Sequence, residues 1–258
     1  MLKEFSQMGR VMNEWYRSLE PIALKDLIPD EEAAKHTFLF SADMIKGFCK
    51  KGNLASPRID AISKPIAALF TKLYEAGVPN FVLIQEWHDP EAKEFQAFPA
   101  HGIRETEEAE TIPELAELAF ADRFIVFLKN SISPAWAYRE KRHKPPSHTH
   151  PTYPEGFDPV WRERFEKYLE TNDIRNAIFV GNCTDLCVEQ AVMYVKLWAN
   201  ERQKDMRVVI PANCVQTFDL PIVVAEKIGA TPHPGDMYHQ IALYEMARNK
   251  IEIVREIA

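Results

Sequence analysis

The sequence predicts a three-layer α/β/α domain, in which helices cover both faces of a central, mostly parallel β-sheet. Two observations lead to this fold class. Short apolar runs of strand length alternate along the chain with helical patterns of ten or more residues, as in βαβ units. The runs are also apolar throughout instead of alternating with polar residues, which is typical of strands buried on both faces.

Six segments are expected to form the sheet. Each is a predominantly aliphatic and aromatic run bounded by polar or turn-forming residues. The segments are 37–40, 81–84, 123–128, 177–180, 207–210 and 251–254.

The segments between the strands have helical spacing. Ile62, Ile66, Leu69 and Leu73 recur at three- and four-residue steps, and Gly77 follows as a natural C-cap. Further helices are expected at 112–120, 161–171, 188–198 and 238–248. Residues 139–160, which are rich in proline and histidine, are predicted to be a loop.

The first 36 residues are interpreted as a helical extension that precedes the α/β domain. Apolar residues recur at helical steps from Phe5 to Leu19, and Pro21 and Pro29 then interrupt the pattern. No repeat or linker divides the remainder, so residues 37–258 are predicted to form one domain.

Composition and charge exclude several classes of function. The formal net charge is −7 and no basic stripe stands out, which argues against nucleic-acid binding. No apolar run reaches the roughly 18 residues that a membrane span needs, and the charged N-terminus does not resemble a signal peptide. The four cysteines are too scattered for a disulfide framework, so we expect a reducing, cytoplasmic location.

Reactive side chains follow consecutive strands of the predicted sheet. In open α/β sheets, ligands bind outside the carboxyl ends of the strands. Asp43 follows the first predicted strand, and Glu86 with His88 follows the second. Lys129 follows the third, and residues 181–187 follow the fourth. An acid, a base and a thiol on one rim indicate an active site.

Cys187 is the candidate nucleophile because it lies where a turn gives way to a helical pattern. A helix N-terminus favours the thiolate and offers backbone N–H groups for an oxyanion. Cys183 lies earlier in the turn, without a comparable dipole. The alternatives are that both cysteines are small core residues or that they form a metal clip, although no second cysteine pair has a matching spacing.

Asp43 and Lys129 have alternative interpretations as a turn residue and as a solvated strand end. With Cys187 they suit a covalent mechanism. The carboxylate would take the thiol proton, the lysine would stabilise the anion, and the thiolate would attack a carbonyl.

A second group of polar residues is a candidate metal site. Glu86 and His88 point the same way in an extended segment, and Glu94 and His101 follow within one loop. Two imidazoles and two carboxylates are suitable ligands for Zn²⁺, Fe²⁺ or Mn²⁺. A polar surface loop is the alternative.

From about Thr37 to the C-terminus the chain resembles the isochorismatase-like cysteine hydrolases, and among them the nicotinamidases. Residues 43–49 (DMIKGFC) are similar to the family pattern D-x-Q-N-D-F-C, and Lys129 is followed by small residues as in the family. Residues 181–188 (GNCTDLCV) are similar to G-x-x-T-D-x-C-V. The resemblance implies a Rossmann-like sheet topology and a hydrolase domain over 37–258.

The resemblance also implies roles for individual residues. Asp43, Lys129 and Cys187 would be catalytic, and Phe48 would form an aromatic wall of the substrate pocket. The peptide bond between Asn182 and Cys183 would be cis. The backbone N–H groups of Cys183 and Cys187 would form the oxyanion hole.

The same resemblance extends to the metal loop. Phe98-Pro-Ala-His101 is similar to the nicotinamidase W/F-P-x-H, which makes Phe98 a second pocket wall and His101 a metal ligand. His88 matches the histidine of D-x-H. Glu86 and Glu94 would complete the site, although Glu86 replaces the usual Asp and Glu94 stands where many members have His. The implied metal is Zn²⁺, with Fe²⁺ or Mn²⁺ as alternatives.

The expected function is hydrolysis of nicotinamide, or a similar small aromatic amide, to the carboxylic acid and ammonia through a thioacyl-enzyme. The alternative within the family is a metal-free cysteine hydrolase that acts on a carbamoyl, ureido or other small amide. A vinyl-ether hydrolase and a catalytically silent interaction module are further alternatives, against which Asp43, Lys129 and Cys187 argue. The expected partners are a small amide and further copies of the chain in a homo-oligomer, without nucleic acid or membrane.

Overall fold

The described part of the chain, residues 2–140 and 162–258 of a computed structural model, is built around an eight-stranded sheet. The strands are β1 (Thr37–Ala42), β2 (Asn80–Glu86), β3 (Ile125–Lys129), β4 (Tyr138–Glu140), β5 (Arg162–Arg164), β6 (Asn176–Gly181), β7 (Arg207–Pro211) and β8 (Glu252–Val254). Their order across the sheet is β5-β4-β3-β2-β1-β6-β7-β8.

The six predicted strands are all present and run parallel to one another, which confirms the predicted fold class. Taken alone, they have the doubly wound order 3-2-1-4-5-6. The strand order reverses at β1, which pairs in parallel with β2 on one side and with β6 on the other. The crevice of such a sheet is therefore expected at the carboxyl end of β1.

The antiparallel edge formed by β4 and β5 was not predicted. Residues 161–171 were expected to be one helix, but Arg162–Arg164 pairs with Tyr138–Glu140 as a strand. The helix begins only at Phe165, which is fully buried. The predicted loop 139–160 lies mostly outside the described residues.

Eleven α-helices occur in the described residues. They are α1 (Leu2–Arg17), α2 (Leu24–Leu27), α3 (Glu31–Lys35), α4 (Lys46–Cys49), α5 (Pro57–Asp60), α6 (Ser63–Glu75), α7 (Pro113–Ala116), α8 (Phe165–Thr171), α9 (Glu189–Glu201), α10 (Ile222–Ile228) and α11 (Gly235–Arg248). Gly77 follows α6 with φ 84°, as expected for a C-cap glycine. The predicted helix 112–120 is only one turn, α7, followed by irregular chain.

Two hydrophobic clusters cover the two faces of the sheet. In β1, Phe38 and Phe40 point to one face and Leu39 to the other, as the two-residue period of a strand requires. The first face packs on α8, α9 and α11, and the second packs on α6. This sandwich fixes the strand ends that carry the reactive side chains.

The N-terminal helix α1 packs on α11 at its last turn. The Trp15 ring meets the Tyr244 ring edge-on at 5.2 Å, and Tyr16 meets His239 at 5.6 Å. The division into an extension (1–36) and a hydrolase domain (37–258) stays a prediction. No helix among the described residues is long and apolar enough to cross a bilayer.

Candidate active site

Four neighbouring strands bring the predicted catalytic residues together. Lys129 is the last residue of β3 and pairs in register with Glu86, the last residue of β2. Asp43 directly follows β1, whose residue Ala42 is in register with Gly181 at the end of β6. The predicted rim of reactive side chains is therefore present at the carboxyl edge of the sheet.

Asp43 is held in an unusual backbone conformation at the end of β1. Its φ is 50°, in the left-handed region that Asp tolerates better than most residues. The carboxylate is fully buried, and its Oδ1 accepts a hydrogen bond of 2.7 Å from the Glu86 N–H. The Asn182 side chain donates to the Asp43 carbonyl at 2.7 Å. These contacts aim Oδ2 towards Lys129.

The Lys129 ammonium lies at the centre of the site. It is 2.9 Å from Asp43 Oδ2 and 3.0 Å from Glu86 Oε1, and it donates to Cys187 Sγ at 3.6 Å. The side chain is buried, so these charges interact with little solvent screening. Lys129 is therefore an internal counter-ion for two carboxylates and for a thiolate.

Cys187 lies in a π-helical turn, Thr184–Val188, that precedes α9; we call it the π-turn. The thiol is 5% exposed and donates to Glu86 Oε1 at 3.4 Å. Reactive oxygens of Asp43 and Glu86 and the sulfur of Cys187 all lie within 4.8 Å of one another. The three predicted catalytic residues are thus in one cluster, with Glu86 as an additional member.

Burial determines the protonation states in this cluster. It raises the pKa of Asp43 to about 6, although Lys129 acts in the opposite direction. It also raises the pKa of the Cys187 thiol well above the usual range, again against the effect of Lys129. The expectation of a lowered pKa for Cys187 is wrong, because burial is the largest effect on this thiol and it raises the pKa. The resting thiol is neutral and needs a base.

The pKa values of Lys129 and Glu86 move so that both groups stay charged. Burial lowers the pKa of Lys129, but Asp43, Cys187 and Glu86 raise it well above its ordinary value. Burial raises the pKa of Glu86, but Lys129, His101 and His88 hold it well below the ordinary value. A buried ion pair therefore stands beside a neutral thiol.

The turn before Cys187 has the expected backbone. The peptide bond between Asn182 and Cys183 is cis, as the resemblance implied. Gly181 has φ 116°, and a Cβ there would lie 2.0 Å from the Ala42 carbonyl oxygen. Glycine is therefore required at this position by both conformation and space. All four cysteines of the chain are described and are free thiols, which excludes a disulfide. Among the described residues, no group that could hold a metal contains both Cys183 and Cys187, so nothing supports the metal clip.

The predicted metal ligands also converge. One ligand atom each of Glu86, His88, Glu94 and His101 lies within 4.8 Å of the others. Glu86 Oε2 is 2.9 Å from His101 Nε2 and 3.3 Å from His88 Nε2, and Glu94 Oε1 is 3.9 Å from His88 Nε2. Glu86 and both histidines are buried.

Hydrogen bonds on the far side of each imidazole leave Nε2 facing the cluster. His101 Nδ1 is 2.7 Å from the Pro99 carbonyl, which can only accept, so Nδ1 carries a proton. Asn130 Oδ1 is 3.3 Å from His88 Nδ1, and its amide is oriented by two hydrogen bonds with Asp89. Such outer partners fix the tautomer of metal-binding histidines.

The arrangement fits a divalent metal ion. His88 Nε2 and Glu86 Oε2 are buried 3.3 Å apart and face the same space, but neither atom makes a hydrogen bond of good geometry. The pKa of His101 is raised: burial lowers it, but the Glu86 carboxylate more than compensates. A positive charge is thus favoured between these groups, as a proton or as a metal ion, and N and O donors suit Zn²⁺, Fe²⁺ or Mn²⁺.

Cys187 and three of the predicted metal ligands, Glu86, Glu94 and His101, line one cleft, whose empty space, counted with the open solvent at its mouth, is about 410 Å³. We call Glu86, His88, Glu94 and His101 the metal cluster. Phe48 and Phe98, the two predicted aromatic walls, both line the cleft. The Phe48 ring lies 5.4 Å and the Phe98 ring 6.4 Å from the His101 ring. The cleft can therefore hold a small flat molecule between aromatic side chains.

Sequence reasoning missed part of the site. Leu54, Ile132, Leu186 and Phe218 line the cleft as well, and Asn130 orients His88. Asn130 directly follows Lys129, so its position after a strand was a usable signal. Phe218 lies in irregular chain after β7, and no local pattern marks it.

The fold and the sequence are similar to those of known hydrolases. No family model matches the sequence. An isochorismatase-like hydrolase from Alkaliphilus metalliredigens superposes with a TM-score of 0.56 at 17% identity, covering 86% of this chain and 95% of that one. The chain has the isochorismatase-like fold. The predicted resemblance is thus confirmed.

A similar sequence and a second similar structure both belong to enzymes named as amidases. Nicotinamidase 1 of Arabidopsis thaliana is 28% identical over 229 residues, which cover 85% of this chain and 86% of the relative. The pyrazinamidase of Pyrococcus horikoshii in complex with zinc has a TM-score of 0.55 at 21% identity, with 85% and 99% coverage. These similarities support amide hydrolysis at the level of the family.

Proposed function

We propose that this isochorismatase-like protein is a cysteine amidohydrolase that converts nicotinamide, or a similar small aromatic amide, to the carboxylic acid and ammonia. The observation that carries the proposal is the cleft between Phe48 and Phe98, which has the Cys187 thiol and the metal cluster on its walls. An aromatic amide can stack on the phenylalanines while its carbonyl carbon meets the sulfur.

In the proposed reaction, Asp43 removes the thiol proton and the Cys187 sulfur attacks the amide carbon. Asp43, with a pKa of about 6, is suited to exchange a proton near neutral pH. Lys129 stabilises the thiolate electrostatically, and the backbone N–H groups of Cys183 and Cys187 bind the oxyanion. Asp43 then protonates the departing nitrogen, which leaves as ammonia, and water hydrolyses the thioacyl-enzyme.

We propose that Glu86, His88, Glu94 and His101 hold the metal. Zn²⁺ is the first choice, and Fe²⁺ or Mn²⁺ also suit this donor set. When bound, the metal supplies a coordination position for a ring nitrogen of the substrate beside the thiol. The chain itself supplies the aromatic walls that orient the ring.

A substrate panel with two cysteine variants tests the proposal. Ammonia release is measured with nicotinamide, pyrazinamide and N-carbamoyl amino acids, for the wild type, Cys187→Ala and Cys183→Ala. We expect turnover of the aromatic amides, its loss in Cys187→Ala, and measurable turnover in Cys183→Ala, whose sulfur has no proposed role. Wild-type rates in both variants would refute the nucleophile assignment.

The rival within the family is a metal-free enzyme for carbamoyl or ureido substrates. Metal analysis of the purified protein separates the two functions, because the proposed cluster should hold about one equivalent of metal. His101→Ala should lower both metal content and aromatic-amide turnover. A metal-free protein that hydrolyses only carbamoyl compounds would favour the rival.

The remaining proposals concern the cellular context. We propose a cytoplasmic protein that assembles as a homo-oligomer and binds neither nucleic acid nor membranes. The net charge of −7 and the lack of a basic stripe support the absence of nucleic-acid binding. Sedimentation of the purified protein tests its assembly.

A further inference from the structure

A chain of polar contacts, part-buried at Tyr16 and buried at Thr184, connects the N-terminal helix with the turn that carries Cys187. The Tyr16 hydroxyl of α1 lies 3.2 Å from His239 Nε2, and His239 Nδ1 lies 2.9 Å from Thr184 Oγ1. His239 is 4% exposed and Thr184 is fully buried. Thr184 is the first residue of the π-turn, three positions before Cys187.

We propose that Tyr16 and His239 are positioning residues that hold the π-turn, and with it the Cys187 sulfur, in its reactive place. The inference rests on the proposed role of Cys187 as nucleophile. It assigns the N-terminal helix a part in the reaction, although residues 1–35 lie outside the segment that resembles the hydrolase family.

The placement of His239 makes it suited to this role. It belongs to α11, whose Ala242, Leu243 and Met246 are buried in the same hydrophobic cluster as Cys187 and Val188. The ring is therefore fixed on one side by the core and on the other by α1. A fixed ring can hold the Thr184 hydroxyl in one orientation.

The π-turn needs such support because its own ladder is irregular. Both the Leu186 N–H and the Val188 N–H donate to the Cys183 carbonyl, at 3.1 Å each. The Thr184 N–H donates to the Gln216 carbonyl at 3.1 Å. A π-helical turn is rare and persists at functional sites when its surroundings hold it. The contact between His239 Nδ1 and the Thr184 hydroxyl is one such restraint, and it is made by side chains.

The Tyr16 hydroxyl can be removed without removing its ring. Tyr16→Phe keeps the edge-on ring contact with His239 and deletes only the hydrogen bond. Trp15→Phe is the matched control, because Trp15 lies in the same α1–α11 interface but contacts Tyr244 instead of His239. Both variants change one aromatic side chain of the same helix turn.

Two measurements distinguish positioning of the π-turn by Tyr16 from mere packing of α1 on α11. The first is kcat and KM for the amide that the enzyme turns over best. We expect Tyr16→Phe to lower kcat about three- to tenfold, as the loss of one neutral hydrogen bond allows, with little change in KM. Trp15→Phe should leave kcat near the wild-type value.

The second measurement is hydrogen exchange of the peptide that contains residues 184–188, which requires no substrate. Exchange should be several-fold faster in Tyr16→Phe than in Trp15→Phe, because the turn opens more often. His239→Asn keeps a polar group towards Thr184 but cannot reach Tyr16. The double variant Tyr16→Phe/His239→Asn should therefore exchange no faster than the faster of the two single variants.

The outcomes separate this inference from the proposed function. If no amide is hydrolysed, the proposed function fails while hydrogen exchange still tests the hold on the π-turn. Unchanged exchange and kcat in Tyr16→Phe would overturn the inference. Equal effects of Tyr16→Phe and Trp15→Phe would overturn it too, because they would show that helix docking alone matters.

Discussion

Replacing Lys129 by methionine tests whether the buried ammonium is what lets two carboxylates coexist in the site. Met has a similar length and keeps the apolar stem, but it removes the charge that lies 2.9 Å from Asp43 and 3.0 Å from Glu86. At an effective dielectric constant of about 20, each contact corresponds to a gross attraction of roughly 5.5 kcal/mol. Desolvation offsets much of this, and breaking a buried pair typically costs about 3–5 kcal/mol net.

The stability lost in Lys129→Met should depend on pH. In the wild type the folded pKa of Asp43, about 6, already exceeds the ordinary carboxyl value, so stability falls as pH rises from about 4 to 6. Without Lys129 the folded pKa is higher still, because burial is no longer opposed. In Lys129→Met the free energy of unfolding therefore continues to fall above pH 6. The extra loss is about 1.4 kcal/mol for each unit by which the folded pKa of Asp43 rises.

The assay is urea unfolding at pH 6 and pH 8, with EDTA present so that no metal shares the charge of Glu86. Lys46→Met is the control, because Lys46 also faces two carboxylates, Glu110 at 2.7 Å and Glu107 at 3.5 Å, but at the solvated surface. We expect a loss of several kcal/mol for Lys129→Met at pH 8 and a smaller loss at pH 6. A loss no larger than that of Lys46→Met, or one independent of pH, would refute the reasoning.

Two further predictions concern the residues around the site. Gly181→Ala should destabilise the fold by about 3 kcal/mol or more in urea unfolding, since its Cβ would meet the Ala42 carbonyl at 2.0 Å. Gly229→Ala, at φ 68° in the left-handed helical region and with open space around it, should cost only about 1 kcal/mol, and equal losses would contradict the argument from conformation and space. His239 has a pKa lowered to about 4, mainly by burial, so the unfolded chain takes up a proton before the folded one as pH falls below 6.5. The wild type should therefore lose about 2 kcal/mol more than His239→Asn between pH 7 and pH 5, and equal losses would show that His239 is not buried as a neutral ring.

The sequence was sufficient for the parallel sheet because its strands lie in predominantly apolar runs bounded by polar or turn-forming residues. The same reasoning brought Asp43, Lys129 and Cys187 to one rim, since carboxyl ends of parallel strands share an edge. It failed for β4 and β5, which have three residues each, and β5 consists of charged residues. Their pairing depends on a neighbouring strand, which a local pattern does not report.

The links between side chains could not be predicted either. His239 is a histidine in a helical pattern, and nothing in its neighbourhood along the chain indicates a contact with Tyr16, which is 223 residues away. The protonation of Cys187 was predicted in the wrong direction for a similar reason. The sequence shows that a helix follows the thiol, but only the packed structure shows how completely the thiol is buried.

Glu86 combines the two halves of the site, and its length is the reason. The side chain of Glu is one methylene longer than that of the Asp in the family pattern. In the structure, Oε1 contacts Lys129 and Cys187, while Oε2 faces His88 and His101. Any cation that draws Oε2 towards the imidazoles must therefore also change the hold of Oε1 on the thiol. The proposed metal cluster and the proposed nucleophile, Cys187, are thus coupled through one side chain.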